Sequence, residues 1–323
     1  MQKIINVSDL FRMCGMRHQG KVAITHPDMT GLEPNPKDDW LYLGLLSLRE
    51  TARIKGDQIK SAAFIGSGNG IETIAALKLF SSLEKIFVTD LVKDIQPGII
   101  QNIRLNVKNE LKKVEVKCLA GRDCHPLPEK VDLIYGNLPI MVCDTEEIEK
   151  HHLARTTLTD AHEYAYLSQG KNDILEKYSL LSQLGFLLSA KEKLSAGGCV
   201  LTLIGGRVPY AAIDECFRRA GLNYCKMYTS FMRQSDCQFL KQYAEYEAKK
   251  KVNFAFYDCQ RADDIICDKL AVAIPEIITG LDDDNLKELL KPALLTAQQA
   301  YQFYLKGKPV GHIAYAFEAW KKN

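Results

Sequence analysis

The chain has 323 residues, of which 46% are hydrophobic and 25% are charged, enough for one large α/β domain with additions or for two modest domains. Its 42 lysines and arginines nearly balance its 40 aspartates and glutamates, so the total charge indicates no nucleic-acid partner and no membrane partner. Ten cysteines without a C-x-x-C pair, and apolar runs too short for a signal peptide or a bilayer span, predict a soluble cytoplasmic protein with reduced thiols and no metal site.

The predicted elements divide the chain into three zones. Residues 1–57 form an N-terminal cap segment, in which a stripe of apolar residues predicts a helix over Asp39–Lys55. Residues 58–258 alternate short apolar runs with helical stretches, a pattern typical of successive βαβ units and a mostly parallel sheet. Residues 259–323 have helical character and are predicted to form a C-terminal extension.

Seven strands are predicted in the middle zone, and the spacing alone leaves the pairing of the last two open. They are Ser61–Ile65, Lys85–Thr89, Val114–Leu119, Val131–Tyr135, Cys199–Ile204, Tyr224–Phe231 and Val252–Tyr257. Their number and order resemble those of class I S-adenosylmethionine (SAM)-dependent methyltransferases, which have five parallel strands before an antiparallel edge pair. The resemblance implies an α/β fold with a doubly wound, Rossmann-like, seven-stranded sheet and an antiparallel edge hairpin.

A glycine-rich loop follows the first predicted strand and precedes a helix. Its residues, predicted to bind a cofactor, are Gly66, Ser67, Gly68, Asn69 and Gly70. Glycines let the chain turn sharply and let a ligand lie against bare backbone. The third glycine comes two positions after the second, which disfavours a dinucleotide fold, whereas a tight turn without a ligand stays open as the alternative.

The next two strands end in groups that suit an adenosine ligand. Asp90 has two carboxylate oxygens that can accept both ribose hydroxyls, although a helix N-cap is an equally plausible role for it. Asp123 can accept from an adenine amino group, with the backbone N–H of Cys124 as a neighbouring donor. Suitable groups at three consecutive strand ends favour a common ligand over coincidence.

The fourth strand ends in Gly136-Asn137-Leu138-Pro139-Ile140. This segment resembles the N-P-P-Y motif of amino-methyltransferases, and the resemblance implies that the Asn137 side chain and the Leu138 carbonyl hold a substrate beside the methyl donor. Leucine replaces the first proline and isoleucine replaces the aromatic residue, so the motif departs from the family at two positions. A loop that merely ends at a proline is the alternative.

Residues 61–258 resemble class I SAM-dependent methyltransferases along the whole fold. A narrower resemblance, to the methyltransferase module of methionine S-methyltransferases, rests on five segments with moderately specific sequence, namely Pro36–Trp40, Gly66–Gly70, the fourth-strand motif that ends in Pro139-Ile140, Gly205–Pro209 and Gln242–Tyr257. It implies SAM as the cofactor and a small amino-acid substrate, with the sulfur of methionine accepting the methyl group. The sequence leaves open whether the chain forms a homo-oligomer.

Phe64 stands two residues before the first glycine, where this family and most relatives have an acid that helps to hold the amino-acid end of SAM. With Phe64 there, the amine loses an anionic neighbour, and its neutral form becomes easier to reach. Some proteins that resemble methyltransferases form azetidine-2-carboxylate from SAM alone, when its own amine attacks the γ-carbon and expels methylthioadenosine. This cyclisation is therefore the alternative to methionine methylation.

A thioether sulfur has no proton to lose, so its methylation needs in-line placement and groups that tolerate a sulfonium cation, not a general base. The residues that we expect to act on the substrate are Tyr135, Asn137, Tyr178 and Arg207. The tyrosines would face the cation and Arg207 would bind a carboxylate, although packing is the ordinary role of such aromatics. N-methylation of the N-P-P-Y type and a non-catalytic SAM-binding partner are the remaining alternatives.

Overall fold

The computed structural model describes residues 4–16, 21–25, 32–33, 35–91, 93, 96–108, 113–138, 161–234, 237–270, 277–278 and 282–322. The strands are β1 (Ile4–Asn6), β2 (Ala23–Thr25), β3 (Ser61–Ile65), β4 (Lys85–Asp90), β5 (Glu115–Ala120), β6 (Val131–Gly136), β7 (Leu194–Gly205), β8 (Leu222–Arg233), β9 (Phe256–Asp258), β10 (Ile277–Ile278), β11 (Leu294–Leu295) and β12 (Val310–Lys321). The α-helices are α1 (Ser8–Met13), α2 (Trp40–Lys55), α3 (Ile71–Leu79), α4 (Gln96–Asn106), α5 (Ile174–Lys177), α6 (Leu181–Lys193), α7 (Tyr210–Ala220), α8 (Cys237–Lys250), α9 (Cys259–Leu270), α10 (Asp283–Leu290) and α11 (Ala297–Leu305). Within these ranges no helix is long and apolar enough to cross a membrane.

The main sheet has the strand order β5-β4-β3-β6-β7-β12-β8-β10. The pairs β3/β4, β3/β6, β4/β5 and β6/β7 are parallel, whereas β12 is antiparallel to both β7 and β8. This order confirms the predicted α/β, Rossmann-like sheet with five parallel strands. The strand order reverses between β3 and β6, and a ligand crevice of such folds lies at the carboxyl ends of the strands at this point.

The seventh strand of the sheet was predicted in the wrong place. We expected Val252–Tyr257 to form an edge hairpin with Tyr224–Phe231, but only Phe256–Asp258 is extended, and it pairs with the start of β12 and with β11. The neighbour of β8 is instead β12, from the segment predicted as helical. Ten consecutive residues of β12 are buried, so its sequence lacks the alternation that identifies a half-exposed strand.

Helix α2 crosses one face of the sheet and brings its first turn to the carboxyl ends of the strands. Asp39, the N-cap, accepts a hydrogen bond from the Leu41 N–H at 2.9 Å. One residue earlier, Asp38 accepts from the Arg233 N–H at the end of β8. At its other end, Lys55 forms an ion pair with Glu318 of β12. These contacts fix the direction of α2 across the sheet.

Phe317 of β12 offers a direct test of this sheet order. Its fully buried ring lies 5.2 Å from Phe217 and 5.7 Å from Tyr224, measured between ring centroids. We expect Phe317→Ala to lower the free energy of unfolding by about 3–5 kcal/mol, because it leaves a cavity in a packed core. Urea unfolding followed by circular dichroism measures this loss.

The control is Tyr166→Ala, at a tyrosine that is 75% exposed, and it should change the free energy of unfolding by less than about 0.5 kcal/mol. A loss as small as the control's for Phe317→Ala would contradict the position of β12 inside the sheet.

Candidate functional site

The loop between β3 and α3 has a conformation that suits glycine and little else. Gly66 has φ +66° and Gly70 has φ +79°, both in the left-handed region. A Cβ on residue 66 would lie 2.8 Å from Leu138 Cδ2, and one on residue 70 would lie 3.0 Å from Ile99 Cγ2. The loop therefore presents bare backbone at the carboxyl edge of the sheet, in contact with the segment that follows β6.

The polar side chains of the loop stabilise the conformation of the loop itself. The Ser67 hydroxyl donates to the Phe64 carbonyl at 2.8 Å. Asn69 accepts from the Ile71 N–H at 3.1 Å through its side chain, and its carbonyl accepts from the Asn102 amide of α4 at 3.0 Å. Ser67 and Asn69, which we predicted to contact a cofactor, thus contribute first of all to the geometry of the loop.

Asp90, at the end of β4, lies beside the glycine loop as expected. Its Oδ2 accepts a hydrogen bond from the Gly68 N–H at 3.1 Å, and the residue is 2% exposed. This bond ties the ends of β3 and β4 together. The structure therefore brings Asp90 and the loop to one place, and the contact of Asp90 with a ribose stays a prediction.

The turn after β5 is shaped by two side-chain hydrogen bonds from elsewhere in the chain. Asp123 has φ +50° and accepts from the Tyr164 hydroxyl at 2.8 Å, and burial raises its pKa. The Cys124 N–H, predicted as a donor to a ligand, donates to Ser189 Oγ at 3.2 Å, so a ligand atom would have to replace that hydroxyl. Burial raises the pKa of the Cys124 thiol to about 12, which excludes a nucleophilic role near neutral pH.

Asn137 and Leu138 follow β6 at the same edge, and both are partly exposed, whereas Pro139 and Ile140 lie outside the described residues. Leu138 covers Gly66, as the distance above shows. The segment predicted to hold the acceptor is thus in direct contact with the loop predicted to hold the donor.

Tyr135, near the end of β6, is 2% exposed and lies under α2. Its ring is tilted against that of Phe64 with a centroid distance of 5.6 Å. Its hydroxyl lies where a Cβ on Gly44 of α2 would collide with it. Tyr135 is therefore held in one position by its neighbours on the sheet and on the helix.

Two buried carboxylates beside Tyr135 were missed from the sequence. Glu72, the second residue of α3, is 8% exposed and accepts from the Tyr135 hydroxyl at 3.4 Å. Burial raises its pKa to about 7, and the charge of Asp39 adds to the rise. Burial likewise raises the pKa of Asp39 to about 6. An acid within the apolar start of α3, I-E-T-I-A-A-L, is the signal that could have identified Glu72.

Arg207 and Tyr178 belong to an aromatic group on the other side of the sheet. The Arg207 guanidinium donates to Gln234 Oε1 at 3.1 Å and lies 5.0 Å from the centre of the Tyr243 ring. Tyr178 contacts Phe254 edge-on, and Phe254 contacts Tyr243 in the same way. Tyr135 packs in the hydrophobic cluster on the opposite face, so the structure does not bring the two predicted tyrosines together.

A stacked pair of rings lies where α2 begins and β12 enters the sheet. The rings of Trp40 and His312 are 5.6 Å apart with 24° between their planes. Burial, together with the charge of Arg207, holds the pKa of His312 well below its usual range, and its Nδ1 lies 3.0 Å from the Ile313 carbonyl oxygen. The imidazole is therefore neutral. Sequence reasoning could not identify His312, because it missed β12.

No protein-family model matches the chain, and no curated protein matches it either. Similar solved structures include a ribosomal protein L11 methylase from Lactobacillus delbrueckii subsp. bulgaricus, with 17% identity, coverage of 64% of this chain and 88% of that one, and a TM-score of 0.38. The YcgJ protein from Bacillus subtilis has 10% identity, coverage of 87% and 99%, and a TM-score of 0.43. A SAM-dependent methyltransferase from Agrobacterium tumefaciens has 10% identity, coverage of 64% and 59%, and a TM-score of 0.41. Because these scores are low, the fold assignment rests on the strand order.

The raised pKa of Glu72 predicts a pH-dependent stability. With a pKa of about 7 in the folded chain and an ordinary value of 4.5, this carboxyl holds its proton more tightly when folded. The free energy of unfolding therefore falls as the pH rises through this window. Glu72→Gln, which is neutral and similar in size, should therefore exceed the wild type in stability by a clearly larger margin at about pH 8 than at about pH 5.5. Urea unfolding of both proteins at both pH values measures the difference.

Glu84→Gln is the control, because the Glu84 side chain is 71% exposed. Its difference from the wild type should be small and equal at the two pH values. A difference between Glu72→Gln and the wild type that is likewise independent of pH would contradict a buried, proton-binding Glu72.

Proposed function

We propose that this chain is a SAM-dependent enzyme that acts on a small amino-acid substrate, and that it transfers the methyl group of SAM to the sulfur of methionine. We base this on one observation, the meeting of three strand ends at the carboxyl edge of the sheet. Gly68 bonds to Asp90 of β4, and Gly66 lies under Leu138, which follows β6. A donor lying on the glycine loop would have Asp90 on one side and the acceptor segment on the other.

The residues present fit SAM. The left-handed φ values of Gly66 and Gly70 let the loop turn sharply at the edge of the sheet, where a ligand can lie against its backbone. The carboxylates of Asp90 and Asp123 are acceptors for ribose hydroxyls and for an adenine amino group. Asp123 already accepts from Tyr164, so a bound adenine would share that carboxylate. SAM supplies a methyl group that its sulfonium makes electrophilic.

The acceptor side supports a thioether substrate. Sulfur has no proton to lose, so the protein has to place the substrate and to keep its surroundings dry and tolerant of a cation. The Trp40 face is suited to a sulfonium, and the neutral His312 beside it adds no repulsive charge. Arg207 forms no ion pair with a carboxylate of the described residues, which leaves its guanidinium available for the carboxylate of an amino acid.

A second candidate is the cyclisation of SAM to azetidine-2-carboxylate, which Phe64 favours. Its ring is 1% exposed, and β3 therefore ends without a charged group at this position. In this reaction the ammonium first loses one proton, and its nitrogen then forms a bond to the γ-carbon. The bond from the γ-carbon to sulfur breaks, its electron pair goes to sulfur, and methylthioadenosine leaves. Glu72 is a nearby carboxylate with a pKa close to neutral, and it suits the role of proton acceptor.

Mass spectrometry of the products distinguishes the two candidates. The purified protein is incubated with SAM alone and with SAM plus methionine. S-adenosylhomocysteine and S-methylmethionine, formed only when methionine is present, are the result that we expect. Methylthioadenosine and a four-membered-ring amino acid, formed from SAM alone, would show that the protein catalyses cyclisation and not methyl transfer. Failure of SAM to bind would contradict both.

Gly66→Ala tests whether the glycine loop is the binding surface. The new Cβ would meet Leu138 and would force an alanine into a left-handed conformation, so the loop has to move away from its ligand position. We expect the dissociation constant of S-adenosylhomocysteine to rise at least about tenfold, by about 1.4 kcal/mol, in isothermal titration.

Gly98→Ala is the matched control, since a Cβ there would have no atom within 4 Å. Its affinity should stay within about twofold of the wild type. Unchanged affinity in Gly66→Ala would show that the ligand does not lie on this loop.

A further inference from the structure

We propose that Glu72 holds the ammonium group of bound SAM and replaces the acid that β3 lacks at Phe64. This inference rests on the proposed function, because it assumes that SAM lies on the glycine loop. It assigns the charged contact of the amino-acid end of SAM to the first turn of α3.

The amino-acid end of SAM creates a need for an anion. SAM has two positive groups, the ammonium and the sulfonium, and one carboxylate. An ammonium that leaves water for a protein interior costs much free energy unless an acceptor of opposite charge meets it. Phe64 cannot do this, and the Ser67 hydroxyl beside it already donates to the Phe64 carbonyl.

Glu72 lies close to the position that Phe64 leaves uncharged. The Phe64 and Tyr135 rings are in contact, and the Tyr135 hydroxyl bonds to Glu72 Oε1. One aromatic side chain thus separates Phe64 from the carboxylate. Glu72 also comes only two residues after Gly70, the last glycine of the loop. Its carboxylate is therefore at the carboxyl edge of the sheet, next to the proposed binding surface.

The two buried carboxylates differ in the hydrogen-bond donors that they meet. Asp39 uses one oxygen for the Leu41 N–H and the other for the Glu33 N–H. Glu72 accepts a hydrogen bond from the Tyr135 hydroxyl at Oε1, and its carboxylate also accepts from its own backbone N–H. Within the described part of the chain, neither acid forms an ion pair with lysine or arginine. Glu72 is thus a buried carboxylate without a cationic partner among the described residues, and such a group is costly unless a positive charge meets it.

The position of Glu72 is set by neighbours that leave it little freedom. Gly44 lets the Tyr135 hydroxyl approach the backbone of α2, and that hydroxyl then directs Glu72 Oε1. A fixed carboxylate gives up little conformational entropy when it binds an ammonium, and this makes the pair more favourable than a surface ion pair.

Three ligands that share the adenosine group test the proposal by isothermal titration. S-adenosylhomocysteine has the ammonium and the carboxylate, its decarboxylated form has only the ammonium, and methylthioadenosine has neither. Glu72→Gln should weaken the first two by about 10- to 100-fold and should leave methylthioadenosine within about twofold. Glu72→Asp, which keeps the charge, should recover part of the lost affinity. Glu84→Gln should bind all three ligands as the wild type does.

The pH dependence gives a readout that a merely structural role would not change. The groups that face Glu72 are Asp39 from α2 and Tyr135 from β6. Affinity of the wild type for S-adenosylhomocysteine should rise as the pH increases through about 7, where Glu72 loses its proton. Glu72→Gln should lose this rise and keep only a weaker one near pH 6, from Asp39.

The outcomes separate this proposal from the proposed function. Equal losses for all three ligands in Glu72→Gln, or no loss for any, would overturn the role of Glu72 while leaving SAM binding in place. Failure of the wild type to bind any of the three would overturn the proposed function as well. If Glu72→Gln does not fold, Tyr135→Phe provides the test, because it removes the hydroxyl that positions Glu72. It should weaken both ammonium ligands severalfold relative to methylthioadenosine.

Discussion

Leu138 occupies the space that a side chain at position 66 would fill, and this contact joins the end of β3 to the segment after β6. The arrangement of the candidate site depends on it. Because residue 66 is glycine, the Leu138 side chain packs directly against the backbone of the glycine loop. Asp90 then fixes the loop from the opposite side through Gly68. The crevice at the reversal of the strand order is thus lined by the backbone of the glycine loop, by the end of β4 and by the segment after β6.

Burial of β12 also determines which residues surround the site. The strand fills the space between β7 and β8, and its ten buried residues need apolar neighbours on both faces. That position brings His312 against Trp40 and within the influence of Arg207. A buried, neutral imidazole and an indole ring then lie at the carboxyl edge of the sheet. The same helix α2 that contributes Trp40 also contributes Asp39 and the glycine that receives the Tyr135 hydroxyl.

The five parallel strands and the glycine loop could be predicted, because their signals are local. Apolar runs bounded by Gly or Asp identify strands. The glycine-rich sequence from Gly66 to Gly70 predicts a sharp turn that leads into a helix. β12 could not be predicted in this way, since a strand buried on both faces has no alternating pattern. The roles of Glu72, Asp39 and Cys124 depend on tertiary contacts. Ser189 bonds to the Cys124 N–H from a distant part of the chain, and no spacing in the sequence indicates that bond.

A crystal structure of the protein with S-adenosylhomocysteine tests the central claim most directly. We predict the ribose hydroxyls within hydrogen-bonding distance of Asp90 and the adenine next to Asp123. The ammonium should face Glu72, with the sulfur towards Asn137 and Leu138. A ligand bound away from the glycine loop would contradict the proposed function. A ligand on the loop with its ammonium far from Glu72 would contradict the assignment of that carboxylate.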